Sequence, residues 1–393
     1  MTMSRLQELI NELCPDGVEY KKVGDVTFYE QPTKYIVKST NYSDDFNIPV
    51  LTAGQSFILG YTNETDGIFE ATKQEPVIIF DDFTGAFKWV DFPFKVKSSA
   101  MKLITSNEDV VLSRYLYHIM GVIGLTSTEH KRLWLSQYSE IKIPVPPLPV
   151  QEEIVKILDK MTDYVDELKA ELKARKMQYQ YYLDKLIWSS TDNIVELSSL
   201  GTLIRGKRFV HADATDDGVP CIHYGELYTY YGVYADIAKS HIREELRPKM
   251  RYASKGDVVI VGAGENNEDI GVGVAWFGDE GIAVHDACYT LKHNQNPKYI
   301  SYYLRTTKYH QQIKKYVSEG KICSISAQGL GKSLVPLPDI NVQNDIVSKL
   351  DKYDTLCSDI TVGLPAEIEA RQKQYEYYRD KLLTFKELKH DTI

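Results

Sequence analysis

Residues 171–187, ELKARKMQYQYYLDKLI, return without a gap as residues 367–383, EIEARQKQYEYYRDKLL, with ten of seventeen pairs identical. The matches include Arg175/Arg371, Gln178/Gln374, Tyr179/Tyr375, Tyr182/Tyr378 and Asp184/Asp380. An internal repeat decides the architecture before any local element does, because each copy must be one structural unit. Upstream, Val150-Gln151, Ile154-Val155 and Leu158-Asp159-Lys160 recur as Val342-Gln343, Ile346-Val347 and Leu350-Asp351-Lys352. The offset there is 192 instead of 196, so the second copy carries four extra residues. A proline-rich approach precedes each copy, Ile143 to Pro149 and Val335 to Pro338, and such segments cannot be helical.

The repeat itself reads as helix. Ile154, Leu158, Met161, Val165, Leu168, Leu172, Arg175, Tyr179, Tyr182 and Leu186 step by alternating fours and threes, the spacing of a heptad seam broken only by Arg175. A helix from Gln151 to Trp188 would be about 57 Å long, more than a core helix needs. The second seam runs Ile346, Leu350, Tyr353, Cys357, Ile360, Leu364, Ile368, Arg371, Tyr375, Tyr378 and Leu382, with one 4-4 step. Such a stutter unwinds a supercoil, and Gly363 and Pro365 at that point predict a kink or a restart. Two matching seams in one chain are most simply buried against each other, although each stripe could instead pack on its neighbouring globular segment.

Between the rods lie two segments rich in short strands. Pro76–Phe80, Trp89–Phe92 and Lys102–Ile104 mark the first; Asp257–Val261 and Gly271–Phe277 mark the second. Each turns helical in an aromatic stretch, Ser113–Met120 and Tyr299–Leu304. The order of elements repeats while the residues scarcely align, as if one scaffold carried two separately diversified surfaces. The expected fold is α+β: two mixed α/β domains separated by two long helices forming an antiparallel coiled coil, with an internal pseudo-two-fold repeat. The divisions are 1–142 and 191–335 for the domains, and 143–190 and 336–393 for the helices.

Composition excludes several classes. Apolar content of 43% with 26% charge suits a globular protein, and no run approaches the ~18 apolar residues a membrane span requires. Met1 to Leu13 is interrupted by Arg5, Glu8 and Glu12, so it reads as a short amphipathic helix and not as a secretory signal. The five cysteines are scattered and form no CxxC pair, which predicts reduced thiols and a cytoplasmic setting. A net charge of −9 argues against electrostatic coating of DNA; it is compatible with DNA binding only through confined basic patches and a partner that completes the clamp.

The duplicated plan, the proline-rich entry followed by Gln-x-x-Ile (Gln151 to Ile154, Gln343 to Ile346), the tail Gly363 to Leu383 and the opening Glu12 to Tyr20 resemble the specificity subunit of Type I restriction-modification enzymes. The resemblance spans essentially the whole chain and is strongest in the helices and termini. It implies two target-recognition domains, each on one half of a bipartite double-stranded DNA site, and a helical ruler that docks two methyltransferase subunits. A restriction and translocation subunit would join through that core. The chain itself would be non-catalytic, with neither cofactor nor metal.

Candidate DNA contacts follow from chemistry. Arg205, Lys207 and Arg208 form a basic turn around Gly206, able to meet phosphate or to fork onto guanine. Tyr224 opens a run of five tyrosines reaching Tyr234, in which core packing of alternate members competes with base contact. Lys88 and Trp89 follow the Thr84-Gly85 turn, and His130, Lys131 and Arg132 follow Thr126-Ser127-Thr128. Three catalytic signatures fail. Gly329-Leu330-Gly331-Lys332-Ser333 lacks the first glycine of a phosphate loop, Asn296-Pro297-Lys298-Tyr299 has lysine where an amino-methyltransferase motif has proline, and Asp16 and Glu19 are too close in sequence for a nuclease metal site. Two other readings compete, a coiled-coil scaffold that binds no DNA and a self-contained methyltransferase.

Overall fold

The computed structural model describes residues 4–52, 56–124, 132–359 and 361–388. It separates into two compact units, residues 1–167 with 369–393, and residues 168–368. The division cuts through both long helices, so each unit owns a globular body and a part of each helical repeat.

In the first unit, helix α1 (Arg5–Leu13) is capped by the Ser4 hydroxyl, which accepts from Gln7 N at 3.3 Å, and buries Leu6 and Leu9. The main sheet has the order Thr27–Glu30, Met101–Ser106, Val77–Asp81, Phe87–Val90, every neighbour antiparallel. Val77–Asp81 divides its side chains by the period of two: Ile78 and Phe80 join one core with helix α2 (Ser113–Ile123), while Val77 and Ile79 face a second. That second core lies under a smaller sheet in which Ile48–Leu51 pairs antiparallel with Ile58–Thr62 and parallel with Lys95–Val96. A ribbon of Glu19–Lys22 and Lys142–Val145 closes the base. The chain's end returns here: Val18 N donates to Lys386 O and Leu388 N donates to Val18 O, both at 2.9 Å. Gly17, at φ +122°, is required by this contact, since a Cβ would stand 2.4 Å from Lys386 O.

The second unit repeats this plan although the sequences hardly match. Its main sheet runs Gly201–Arg205, Cys288–His293, Val258–Val261, Gly273–Trp276, again antiparallel, with Tyr234–Ala235 added in parallel at the edge. In the smaller sheet Val219–Ile222 is parallel to Ile282–Val284, as its counterpart is in the first unit. Ile194–Glu196 and Leu334–Pro336 form the base ribbon.

Helix α3 (Leu148–Trp188) is continuous over 41 residues, and Pro149 is accommodated in its first turn, where no intrahelical donor is needed. Helix α4 (Pro297–Tyr303) matches α2. The second repeat is split into α5 (Ile340–Ser358) and α6 (Leu364–Leu382), so the restart predicted by the stutter is present. Pro365 falls in the first turn of α6, and a Cβ on Gly363 would stand 2.5 Å from Thr355 O and 2.6 Å from Asp359 O. Ile360, a residue of the predicted seam, lies outside the described residues.

Antiparallel pairing is present once in each unit. In the first, the Arg371 guanidinium lies 5.3 Å over the Tyr164 ring, and Tyr375, one turn later on α6, joins Ile154 and Leu158 in the core. In the second, the Tyr353 ring stacks on Tyr179 and Tyr182 at 6.5 and 5.4 Å, and Cys357, one turn later on α5, faces the Arg175–Lys176 stretch. The competing expectation holds at the helix ends, where Ile154 and Leu158 sink into the first core and Leu183 and Ile187 into the second. Each buried aliphatic chain contributes roughly 1.5–3 kcal/mol. The polar seam arginines also bond within their own helices, Arg175 donating to Gln178 and Glu171 and Arg371 to Gln374.

Two glutamines, Gln151 and Gln343, lock globular body to helix. Gln151, fully buried, accepts from Leu112 N at 2.9 Å and donates to Val110 O and Pro146 O at 2.9 and 2.8 Å. Gln343, equally buried, accepts from Asn296 N at 3.0 Å and donates to Pro338 O at 2.8 Å and Gln295 Oε1 at 2.9 Å. Tyr115 OH donates to Pro144 O, and Tyr299 OH to Pro336 O, at the same place in the plan. The proline-rich approaches are thus held by their carbonyls, which proline leaves available.

Candidate nucleic-acid interface

Arg205 ends a strand of the second unit's main sheet, and Lys207 bridges to His285, the residue after the smaller sheet's Ile282–Val284 strand, with Lys207 N donating to Val284 O at 2.9 Å. The basic turn is therefore the crossover between two sheets. Gly206 makes it possible: a Cβ would stand 2.2 Å from both Val284 O and His285 O. With the backbone pressed inward, the side chains of Arg205, Lys207 and Arg208 are left exposed. Arg205 Nε donates to Asp286 O at 2.7 Å, and Arg205 O accepts from Arg251 Nη1 at 2.7 Å.

Arg205 and Tyr224, nineteen residues apart in sequence, line one open cavity of about 470 Å³ together with Glu265, His285, Asp286, Lys321 and Ile322. Tyr224 packs on His223 at 4.3 Å, and His223 on His285 at 4.7 Å. Burial, and then the nearby His223, hold the His285 imidazole below its ordinary range. Its Nε2 donates to Phe209 O at 3.1 Å and its Nδ1 accepts from Ala287 N at 3.1 Å, which assigns the neutral tautomer. Neither the histidines nor Glu265 and Lys321 carried a local signal in the sequence, since four separate loops bring them together.

In the tyrosine run Tyr224 and Tyr228 are half-buried. Tyr231 is buried with its hydroxyl accepting from Lys239 N at 2.7 Å; Tyr230 and Tyr234 are exposed and lie under Lys239 and Lys298. The rejected motifs have structural explanations. Asn296 caps α4, its side chain accepting from Tyr299 N at 3.1 Å, and Lys298 pairs with Asp351 at 2.9 Å. Gly329 and Gly331 sit in a one-turn helix pressed against Tyr316, Ile325 and Ser198. Among the described residues no cluster of three His, Cys, Asp or Glu side chains could hold a metal, and no helix is long and apolar enough to cross a membrane. All five cysteines are buried and free.

In the first unit Lys88 is exposed on the strand after the Gly85 turn (φ +77°), and Asp81 Oδ1 tightens that turn by accepting from Phe83 N and Thr84 N at 2.9 Å. The neighbouring Trp89 is half-buried, its ring 4.8 Å from the Arg114 guanidinium and 5.8 Å from Tyr117. Arg132 is exposed at the head of a short helix that the buried Asp82 anchors through Leu133 N at 2.7 Å and Trp134 N at 2.8 Å. His130 and Lys131 lie outside the described residues.

A family profile described as the Type I restriction modification DNA specificity domain matches the chain twice, over residues 15–175 and 190–370. The Type I restriction enzyme EcoR124I/EcoR124II specificity subunit of Escherichia coli is 41% identical over 98% of this chain and 97% of its own length. A putative type I restriction enzyme specificity subunit of Haemophilus influenzae is 29% identical over 94% and 96%. Among solved structures, a chain from a study of complex assembly and conformational transition in a type I R-M system aligns with a TM-score of 0.59 at 16% identity, covering 95% of this chain and 98% of its own. The S subunit of a Type I restriction-modification system from M. genitalium aligns with a TM-score of 0.50 at 13% identity, covering 97% and 99%.

Proposed function

The chain belongs to the family of Type I restriction-modification DNA specificity subunits, and from that premise we propose that it reads a bipartite double-stranded DNA sequence, one half-site per unit. As a specificity subunit it is the non-catalytic component. It docks two methyltransferase subunits in the cytoplasm, and through them the restriction and translocation subunits; methyl transfer and cleavage occur in those partners. The observation that carries this reading is the doubled architecture, in which one sheet pair, one helix pair and one glutamine lock recur under two unlike surfaces. Such a plan suits recognition of two different short sequences at a fixed separation.

In the second unit the proposed contacts are Arg205, Lys207, Arg208 and Tyr224. In the first they are Lys88, Arg132 and the accessible edge of Trp89, with His130 and Lys131 added on sequence alone. Half or more of the bonds to DNA in such interfaces go to phosphate and fix register, and the remainder read bases. Because the chain's net charge is −9, this reading requires a partner to supply the rest of the positive clamp.

The test is a footprint of the chain with its methyltransferase partner: a split site with an unread spacer is expected. Protection without sequence preference would defeat the reading, and no protection at all would favour the helical scaffold. A second arm addresses the ruler. Inserting one heptad into α3 lengthens it by about 10 Å and is expected to abolish or re-space the bipartite preference; an unchanged spacer would show that α3 does not set it.

A further inference from the structure

The cavity beside Arg205 holds charges of both signs, and that mixture separates two kinds of DNA contact. Arg205 and Lys321 line it, but so do Glu265 and Asp286. A phosphate seated there would meet two carboxylates, whereas a base-pair edge offers both acceptors and donors. Arg205 is also aimed. Its Nε is committed to Asp286 O, its own carbonyl is held by Arg251, and the adjoining Gly206 donates its N–H to Cys288 O at 3.0 Å and packs against the Val284 and His285 carbonyls. The two terminal amino groups of the guanidinium remain for a partner, in the planar fork that matches two acceptors side by side. Guanine presents O6 and N7 in that arrangement in the major groove, and its paired cytosine presents the N4 amino donor that a carboxylate accepts. Tyr224 and the neutral His285 give the cavity flat walls without adding charge.

We propose that this cavity reads one guanine–cytosine pair, with Arg205 forking onto guanine O6 and N7 and Glu265 accepting from cytosine N4. Lys207 and Arg208, outside the cavity on the same turn, contact phosphate. The assignment rests on the reading of the second unit as DNA-binding.

The experiment is selection from short duplexes randomised across both half-sites, using the full chain with its methyltransferase partner. The wild-type complex is expected to retain a G·C pair in the second half-site. Arg205→Ala and the milder Arg205→Lys relax discrimination at that pair roughly ten- to hundredfold, Glu265→Gln relaxes the same pair, and the first half-site stays intact, which reports that the variants are folded. Lys207→Ala and Arg208→Ala lower binding to all sequences alike and flatten the salt dependence. The assignment is overturned if Arg205→Ala weakens every sequence equally, if the pair it relaxes is A·T, or if Glu265→Gln acts at another position. A wild-type complex that enriches no sequence at all defeats the DNA reading beneath it, a different and recognisable failure.

Discussion

The two units solve one docking problem with different residues. Asp159 on α3 takes Arg114 Nε at 2.7 Å and His118 Nε2 at 2.8 Å from α2, while the equivalent Asp351 on α5 takes Lys298 Nζ at 2.9 Å and Tyr302 OH at 2.6 Å from α4. The carboxylate is kept and its partners are exchanged position for position. A second exchange is stranger. Gly121 of the first unit lies against Arg379, 3.0 Å from its would-be Cβ to Nη1, whereas the equivalents in the second unit are Arg305 and Leu183, which line one cavity. An arginine occupies this place in both units but enters from the long helix in one and from the globular body in the other. Packing volume and a place for positive charge are therefore fixed by the scaffold; the element that supplies them is free.

The largest test of this equivalence addresses the glutamine lock. Gln151→Leu and Gln343→Leu each strand a buried N–H and two acceptors, at about 1–3 kcal/mol per group, and both are expected to lower the stability of their own unit by about 3 kcal/mol or more, read by hydrogen exchange. A loss produced by only one of the two variants would break the equivalence. Next, Gly121→Arg forces a second guanidinium against Arg379 and should destabilise the first unit by about 2–3 kcal/mol. Adding Arg379→Leu, which imports the arrangement of the second unit, should recover at least half in a double-mutant cycle; no recovery would mean that the slots differ. Gly363→Ala, driven into the Thr355 and Asp359 carbonyls, should cost about 1–2 kcal/mol by urea midpoint, and a neutral result would show that the break between α5 and α6 can shift.

The smallest effect is in pH. Burial holds the His118 imidazole below its ordinary value of 6.5, only partly opposed by its hydrogen bond to Asp159. Unfolding then takes up a proton between the depressed value and 6.5, so stability of the first unit is complete above 6.5 and is lost as pH falls toward the depressed value. His118→Tyr, the residue the second unit uses here, should remove that slope, worth on the order of 1 kcal/mol per unit of depression. A slope that persists in the variant would assign the titration to another group.

The helical frame was legible because its constraints are periodic and local: the 4-3 seam marks helix, the stutter at Gly363 marks a break in it, and the proline approaches mark its start. The matching of the two globular bodies was visible only as an order of elements. Their shared sheet order depends on hydrogen bonds between backbones, so Thr27–Glu30 and Gly201–Arg205 occupy the same position with different side chains. The Gln-x-x-Ile signature was visible, but not its role, since the partners of Gln151 at Val110 and Leu112 lie about forty residues upstream. At the candidate interface the basic turn was visible as a local run of Arg205, Lys207 and Arg208, whereas its joining with Tyr224, His285 and Glu265 depends on a crossover between sheets that Gly206 permits and no local pattern announces.

Five of the six bonds made by the two glutamines end on main-chain atoms; only that to Gln295 ends on a side chain. A fastener that grips the peptide unit is blind to the residue it holds. Side chains on either globular body can then differ, as they do between the two units, while the joint to the helical frame stays the same.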